Sequence, residues 1–361
     1  MNYALSASTR SQLDLYMAHQ ASLNGLPVTG LAKNFAVDPA VQQRLENAVK
    51  NSTELTQKIN IIGVTDQEGE KVLIDTTGPI ARTNSSSDGT KRRNPITPYD
   101  LAARRYRCEQ VNYDTYISYA QLDAWNAHPD FATRISKQIA LQIALDRIMI
   151  GFNGTSHALV SDFAANPRLQ DVNTGWIEHI RKQAAARVMK GVTLATRDMG
   201  NKVIAKGDYA NPDALVQDAR SSLLDEWYKD APDLVVLLSR NLFNSLRLPF
   251  INAMSQSNPN TELMAGQLIV ASHLIGGLPT YFAPFFPDNA MLITSFSNLS
   301  IYFQKGSLRR LMREEPEYNR IATYQSMNDA YVVEDYGKCA LIEDLKFAPE
   351  PESASNAGAA A

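Results

Sequence analysis

Asp233-Leu-Val-Val-Leu-Leu begins a series of short apolar segments that continues to Glu343. The later segments are Gly277-Leu-Pro-Thr-Tyr-Phe, Ala290-Met-Leu-Ile-Thr, Leu299-Ser-Ile-Tyr-Phe and Tyr331-Val-Val-Glu-Asp-Tyr-Gly-Lys-Cys-Ala-Leu-Ile-Glu. Short β-branched and aromatic runs separated by Gly and Pro are typical of strands joined by turns. The series predicts a strand-rich scaffold. Because it contains no recognisable catalytic motif, it favours a protein that works through its shape.

The composition sets limits on the class of protein. A chain of 361 residues can form two domains or one elaborate domain. The formal net charge of -3 provides no strong basic field for nucleic-acid binding. Cys108 and Cys339 suggest no disulfide framework, so a reducing cytoplasm is the default. Neither a signal peptide nor a membrane-length apolar run is present, so we expect a soluble protein that is intracellular when made.

Two helices are predicted near the N-terminus, with a linker between them. Thr9 and Gln12 have the form of a capping box, and Asn24-Gly25 ends the first helix. Asp38-Pro39 begins the second. The linker from Gly25 to Val37 is predicted to be exposed and weakly structured, as segments cut by proteases are. An ordinary interhelix loop is the alternative.

The next segment is predicted to be a hairpin followed by a polar excursion. Lys58-Ile-Asn-Ile-Ile and Lys71-Val-Leu-Ile-Asp flank a turn at Asp66-Gln-Glu-Gly. The stretch that begins at Thr83-Asn-Ser-Ser-Ser is too polar for a core. The chain returns through Val111-Asn-Tyr-Asp-Thr-Tyr-Ile-Ser-Tyr, whose alternation predicts a strand with two unlike faces.

The clearest helix begins at Pro129-Asp130, with Pro in its first turn, and is about 30 Å long at 1.5 Å per residue. A second clear helix begins at Asn211-Pro212. The tail from Ala348 to Ala361 is rich in Ala, Pro, Ser and Glu and is predicted to be disordered.

The polar excursion is strongly basic. Between Arg82 and Arg107 the chain has seven Lys or Arg residues and two acidic residues. Such an arm can pair with the acidic body of a neighbouring subunit, and a solvated loop is an equal alternative. A second basic cluster lies at Arg309-Arg310 and Arg313, where a subunit interface or loop is favoured over a DNA site. The candidate contact residues in the excursion are Lys91, Arg92, Arg93, Arg104, Arg105 and Arg107.

A search for catalytic chemistry finds none. No pair of the five histidines has the spacing of a helical zinc site, and neither Walker nor nucleophile-elbow motifs occur. Asp171, Glu178 and His179 are more typical of a solvated surface than of a site. We therefore predict no catalytic, cofactor-binding or metal-binding residues.

Ordered motifs along the chain resemble a known family. They include Lys58-Ile-Asn-Ile, Ala144-Leu-Asp-Arg-Ile-Met-Ile-Gly-Phe-Asn-Gly, Asn166-Pro-Arg-Leu-Gln-Asp-Val-Asn-Thr-Gly-Trp, Pro287-Asp-Asn-Ala-Met-Leu-Ile-Thr and Tyr331-Val-Val-Glu-Asp-Tyr. The chain resembles the major capsid protein precursors of temperate, contractile-tailed bacteriophages of the peduovirus type. None of these motifs is catalytic, and their specificity comes from their order over some 300 residues.

The resemblance implies a Hong Kong 97-type capsid fold of the α+β class. It implies a domain order that is expected as follows: an N-terminal arm at 1–57, an extended loop at 58–120, a peripheral domain at 121–205 and 325–347 with its spine helix at 129–150, an axial domain at 206–324, and a disordered tail at 348–361.

It also implies how the protein functions. Copies would form the hexamers and pentamers of an icosahedral head around double-stranded DNA. An internal scaffolding protein that is also a protease would remove about residues 1–35 by cutting between Phe35 and Ala36, and the shell would expand. Further implied partners are a portal protein at one vertex, decoration proteins as candidates, and DNA through weak, nonspecific contacts. Assembly would occur in the bacterial cytoplasm, and the mature protein would reside in the virion capsid, with no membrane partner.

Three alternatives remain open from the sequence. A nanocompartment shell of the same fold would enclose enzymes, although the Gly25–Val37 linker favours the phage protein. An enzyme could use a site in 151–205, where Asp171, Trp176, Glu178 and His179 gather. A nucleic-acid-binding module is disfavoured by the net charge.

Overall fold

The computed structural model describes residues 7–71, 80–81, 95, 105–125, 131–198, 202–255 and 273–349. The α-helices of these residues are α1 Ala7–Leu23, α2 Pro39–Lys50, α3 Glu54–Lys58, α4 Tyr119–Trp125, α5 Phe131–Asn153, α6 Trp176–Gln183, α7 Pro212–Leu223 and α8 Arg240–Ser255. The strands are β1 Phe35–Ala36, β2 Asn60–Val64, β3 Glu68–Glu70, β4 Arg105–Arg107, β5 Glu109–Asn112, β6 Thr115–Ser118, β7 Val188–Lys190, β8 Thr193–Leu194, β9 Thr196–Arg197, β10 Val203–Ala205, β11 Val235–Leu238, β12 Leu274–Ile275, β13 Leu278–Phe282, β14 Met291–Thr294, β15 Leu299–Gln304, β16 Arg309–Glu315, β17 Arg320–Val333, β18 Ala340–Glu343 and β19 Lys346–Phe347.

The chain forms two compact units, each built from distant segments. Unit 1 comprises Met1–Gln42, Ile61–Ala127 and Ser300–Asp335. Unit 2 comprises Gln43–Asn60, His128–Leu299 and Tyr336–Ala361.

Unit 1 is organised around β17, whose length lets it pair with several shorter strands. The sheet runs β1-β16-β17-β15-β2, and β5 and β6 also pair with β17. β16 and β17 are antiparallel, with Arg309 opposite Ser326 and Glu315 opposite Arg320. One apolar cluster of this unit contains Val64, Tyr106, Cys108, Tyr302, Ala330 and Val332.

The predicted strand at Val111–Tyr119 is confirmed as β5 and β6. Val111, Tyr113 and Ile117 are buried, whereas Asn112 and Tyr116 between them are exposed. This alternation matches a sheet with one face against the core and the other toward solvent.

The first strand of the predicted hairpin at 58–75 forms as β2, and its second strand, at 71–75, lies outside the described residues except for Lys71. β2 pairs with β15 in the large sheet, and β3 pairs with β4 in a separate two-stranded sheet. Local alternation identifies a strand but does not determine its partner, and the observed partners of β2 and β3 lie far away in the sequence. The described residues of the predicted extended loop at 58–120 include β2, β5 and β6, which pair in the large sheet, and the residues between 71 and 105 lie outside the described ranges except for 80–81 and 95.

Unit 2 contains a six-stranded mixed sheet in the order β12-β13-β11-β14-β18-β7. Each residue of β11 and β14 is buried, as the continuous apolar runs at Asp233 and Ala290 predict. α7 also forms where it was predicted, and the side chain of Asn211 accepts a hydrogen bond from the amide of Ala214. The core of this unit includes Leu215, Val236, Leu238, Ile293 and Ile342.

The predicted long helix is confirmed as α5, although it extends to Asn153 and residues 129–130 lie outside the described residues. Its C-terminal end packs closely on α6. A Cβ at Gly151 would lie 2.2 Å from the Trp176 ring, and a Cβ at Gly175 would lie 2.3 Å from the carbonyl oxygen of Ile150. Glycine is required here because the backbone of α5 and the fully buried indole occupy the space of a side chain.

A buried ion pair lies within unit 2, between α2 and α5. The guanidinium of Arg147 donates to both carboxylate oxygens of Glu46, at 2.6 and 3.1 Å. Their side chains are 0% and 1% exposed. The C-terminal part of α2 therefore belongs to the core of unit 2, although the sequence places 1–57 in an arm.

The N-terminal helix is confirmed, but its predicted cap is wrong. α1 begins at Ala7, so Thr9 lies inside the helix, and its hydroxyl donates to a carboxylate oxygen of Asp123. Gly25 follows the helix with φ of +64°, as an αL terminator requires. A capping box predicts a helix start from local sequence only, and here a tertiary hydrogen bond uses the same hydroxyl.

The predicted domain assignments stay predictions. One division, at 324/325, falls inside β17, which runs without a break from Arg320 to Val333. The tail prediction is also shortened, because the amide of Ala348 donates to the carbonyl of Leu194 at 2.8 Å and Ala348 is buried. Residues 350–361 lie outside the described residues.

Candidate assembly surfaces and maturation segment

The predicted cleavage position lies in a paired edge strand. Phe35 is opposite Arg310 and Ala36 is opposite Arg309 in the antiparallel pair β1–β16. The amide of Val37 donates to the carbonyl of Leu308 at 2.9 Å, and Leu31 is fully buried. The expectation of a weakly structured linker is therefore wrong at this point, although Ala36 remains exposed. A protease would need the edge strand to open locally before it could cut here.

α1 covers a polar part of the unit 1 sheet. Leu13, Tyr16 and Ala21 are buried on its inner face. Burial lowers the pKa of Arg310, and its guanidinium donates to the amide oxygens of Gln20 at 3.3 Å and Gln325 at 2.6 Å.

This contact is incompletely satisfied. The side-chain amide nitrogen of Gln325, whose oxygen accepts from Arg310, is buried without a hydrogen-bond partner among the described residues. Each buried unpaired polar group costs about 1–3 kcal/mol. The attachment of α1 is therefore weaker than its buried apolar residues alone suggest.

The candidate contact arginines divide into two groups. Lys91, Arg92, Arg93 and Arg104 lie outside the described residues. Arg105 and Arg107 lie on β4, with side chains 69% and 62% exposed.

The described arginines have acidic neighbours in their own chain. β3 and β4 are antiparallel, so Glu68 lies opposite Arg107 and Glu70 opposite Arg105. A side-chain oxygen of Glu109 lies 3.0 Å from Arg107 Nε, and one of Glu68 lies 4.0 Å from Arg105. The local charge excess is thus partly balanced at the base of the excursion. Sequence reasoning missed this pairing because β3 and β4 are separated by more than thirty residues.

Arg313 of β16 is also engaged within the chain. Glu315 accepts hydrogen bonds from the Tyr324 hydroxyl at 2.7 Å, from Arg320 at 2.7 Å and from Arg313 at 2.8 Å. These donors lower the pKa of Glu315 to about 2, the Tyr324 hydrogen bond being the largest cause. Arg313 is therefore paired with a carboxylate of its own strand.

Three of the residues considered for an enzyme site, Asp171, Trp176 and Glu178, make local structural contacts. Trp176 is fully buried against Gly151, and Asp171 accepts a hydrogen bond from the Asp162 amide at 2.7 Å. Burial raises the pKa of Glu178, but the hydrogen bonds from Arg181 and Lys182 lower it overall.

Within the described ranges, no group of three or more His, Cys, Asp and Glu residues could hold a metal ion. None of the helices described is both long and apolar enough to cross a bilayer.

Comparison with solved structures defines the class of protein. A chain of the structure "Satellite phage P4 procapsid including size determination (Sid) protein" matches with a TM-score of 0.76 and 38% identity, over 96% of this chain and all of that chain. A capsid chain of an empty GTA particle shares the fold, with a TM-score of 0.52 at 14% identity over 82% of this chain and 90% of that one. The molecule is a capsid subunit of the Hong Kong 97-type α+β fold, as the resemblance implied.

Sequence comparison gives the family. The family model for "Phage major capsid protein, P2 family" matches residues 12–345. The major capsid protein of Serratia phage KSP20 is 54% identical over 345 residues, covering 96% of this chain and 98% of that protein. The "Capsid proteins" of Escherichia phage P2 are 42% identical over 341 residues, covering 94% of both. The chain belongs to the P2 family of phage major capsid proteins, and these relatives are structural proteins of the virion.

Proposed function

We propose that the chain assembles with copies of itself into hexamers and pentamers that close into an icosahedral phage head around double-stranded DNA. The observation that carries this proposal is the near full-length identity of 54% to a major capsid protein. Heterologous contacts between identical subunits generate closed rings when the rotation closes. Assembly takes place in the bacterial host cytoplasm, with a portal protein at one vertex.

The stem formed by β3 and β4 supports an extended loop that reaches a neighbouring subunit. Antiparallel pairing of Glu68–Glu70 with Arg105–Arg107 brings together the two ends of the chain between 71 and 104. The polarity of that segment favours an excursion from the body of the subunit over burial in a core. Lys91, Arg92, Arg93 and Arg104 in the loop, with Arg105 and Arg107 at its base, would meet acidic groups of the neighbour.

The N-terminal segment is removed in maturation. An internal scaffolding protein that is also a protease assists assembly and then cuts between Phe35 and Ala36, after which the shell expands. The incompletely satisfied contact beneath α1 supports a segment that is held in the precursor and released later. An exposed ion pair such as Arg10–Glu314 contributes only about 0–1 kcal/mol to holding it.

Contact with packaged DNA is weak and nonspecific. The net charge of -3 gives no strong overall attraction for phosphate, and Arg313 is paired with Glu315 of its own chain. Decoration proteins would bind the outer surface after expansion.

Negative-stain electron microscopy of the chain, expressed with and without its scaffolding partner, tests the assembly proposal. We expect closed, uniform shells with the partner and tubes or irregular shells without it. A monodisperse monomer or small oligomer under both conditions would contradict the proposal.

Intact-mass analysis of mature particles tests the maturation step separately. We expect a chain that begins at Ala36. Particles that retain residues 1–35 would refute N-terminal removal while leaving self-assembly in place.

A further inference from the structure

The loop at 155–172, between α5 and α6, exposes three large apolar side chains. Leu159 is 102% exposed, Val160 86% and Phe163 68%. Together they present on the order of 400 Å² of surface, which is the size of the largest apolar patches on monomers, and such patches are often functional. Three such residues within five positions differ from the single exposed apolar residues that are normal on surfaces.

The loop is held in one conformation by hydrogen bonds between its two limbs. The amide of Thr155 donates to the carbonyl of Gln170 at 2.7 Å, and that of Ala158 to the carbonyl of Asp171 at 2.8 Å. The carboxylate of Asp171 also accepts from the amide of Asp162 at 2.7 Å. A preorganised loop loses little conformational entropy on binding, so most of the free energy gained by burying its apolar surface contributes to affinity.

The base of the loop is equally constrained. The amide of Gly175 donates to the carbonyl of Gly154 at 3.0 Å. A Cβ at Gly154 would lie 2.1 Å from the carbonyl oxygen of Asn173, so the two limbs meet through their backbones. The three apolar side chains are therefore presented at the far end of a rigid hairpin-like projection.

The occupant of this surface is best explained as a second copy of the chain. About 400 Å² is half of the ~800 Å² that one partner contributes to a standard interface. This area is too small to hold an isolated dimer together. It is sufficient as one of several contacts that a subunit makes with neighbouring copies at the same time. Departure of a scaffold bound here would leave this patch exposed in the mature shell.

We propose that the 155–172 loop is a contact between coat subunits, in which Leu159, Val160 and Phe163 pack on the apolar surface of a neighbouring copy. The inference rests on the proposed self-assembly and adds a contact site to it. It is independent of the extended basic loop and of N-terminal cleavage.

Photo-crosslinking identifies the occupant. The photoreactive residue p-benzoylphenylalanine is placed at Phe163, or at Asp230 as an exposed control, in chains co-expressed with the scaffolding partner. Irradiated shells should give coat–coat dimers from position 163, at least about fivefold more than from position 230. Adducts with the scaffold, adducts within one chain only, or equal dimer yields at both positions would each overturn the proposal.

Substitution tests the energetic role of the patch. The variant L159S/V160S/F163S removes the apolar side chains, and A164S/A165S changes two exposed residues of the same loop without removing apolar bulk. We expect unchanged thermal midpoints for both unassembled chains, because the altered side chains are exposed. The triple variant should require at least about tenfold more coat protein for half-maximal shell yield, and the control should match the wild type.

The outcomes separate this inference from the proposed function. If the wild-type chain forms shells and the triple variant assembles equally well, the loop contact is refuted and the proposed self-assembly stands. A wild-type chain that forms no shells would refute both.

Discussion

Removal of either partner of the Glu46–Arg147 ion pair should strongly destabilise the unassembled coat protein. Arg147 donates two hydrogen bonds to Glu46, and both side chains are excluded from water. Loss of one partner leaves a buried charge uncompensated, which costs about 3–5 kcal/mol. Since about 1 kcal/mol shifts the thermal midpoint of a domain of 150–250 residues by roughly 2–4 °C, we expect Arg147→Met or Glu46→Met to lower it by about 6–20 °C.

The double variant E46M/R147M is the informative control. Replacing a buried ion pair with apolar residues of similar volume is often neutral or stabilising, so the double variant should unfold near the wild-type midpoint. Equilibrium urea unfolding, followed by tryptophan fluorescence, to which the buried Trp176 contributes, gives the free energies of the four proteins and their coupling.

Two results would refute this reasoning. Single variants that each lose less than about 1 kcal/mol would show that the pair is solvated or dispensable. A double variant that loses as much as the two single losses combined would show that the side chains contribute independently, without the coupling that a buried pair requires.

Three further predictions concern packing, acid stability and thiol reactivity. Gly151→Ala should lower the thermal midpoint because its Cβ would overlap a buried indole, whereas Gly30→Ala, whose Cβ meets no atom closer than 3.6 Å, should not. The pKa of Glu315 is about 2 in the folded state against a reference value of 4.5, so its ionised carboxylate stabilises the fold fully above pH 4.5 and progressively less as the pH falls toward 2. Glu315→Gln should flatten this part of the curve of unfolding free energy against pH. An unchanged curve would contradict the role assigned to Glu315. Burial raises the pKa of Cys108 to about 12, and Cys339 is also buried, so a thiol reagent should label neither in the native chain and both in denaturant.

Several elements could be predicted from the sequence because their signals are local. The apolar run at Val235–Leu238 marks a strand covered on both faces, and the alternation from Val111 to Tyr119 marks a strand with one solvated face. The apolar stripe of α5 marks a long helix. The order of motifs along the chain was sufficient to identify the family, because it extends over most of the length.

The sequence alone thus determined several of the helices and strands, the absence of a recognisable catalytic motif and the resemblance to phage coat proteins. Only the tertiary structure decided the strand partners of β2 and β3, the burial of Glu46 against Arg147, and the pairing of Phe35 and Ala36 with β16. It also decided that Phe163 and its neighbours project into solvent. The physical reason is that periodicity reports which face of an element is apolar, whereas the partner that covers that face is selected by contacts between residues far apart in the chain.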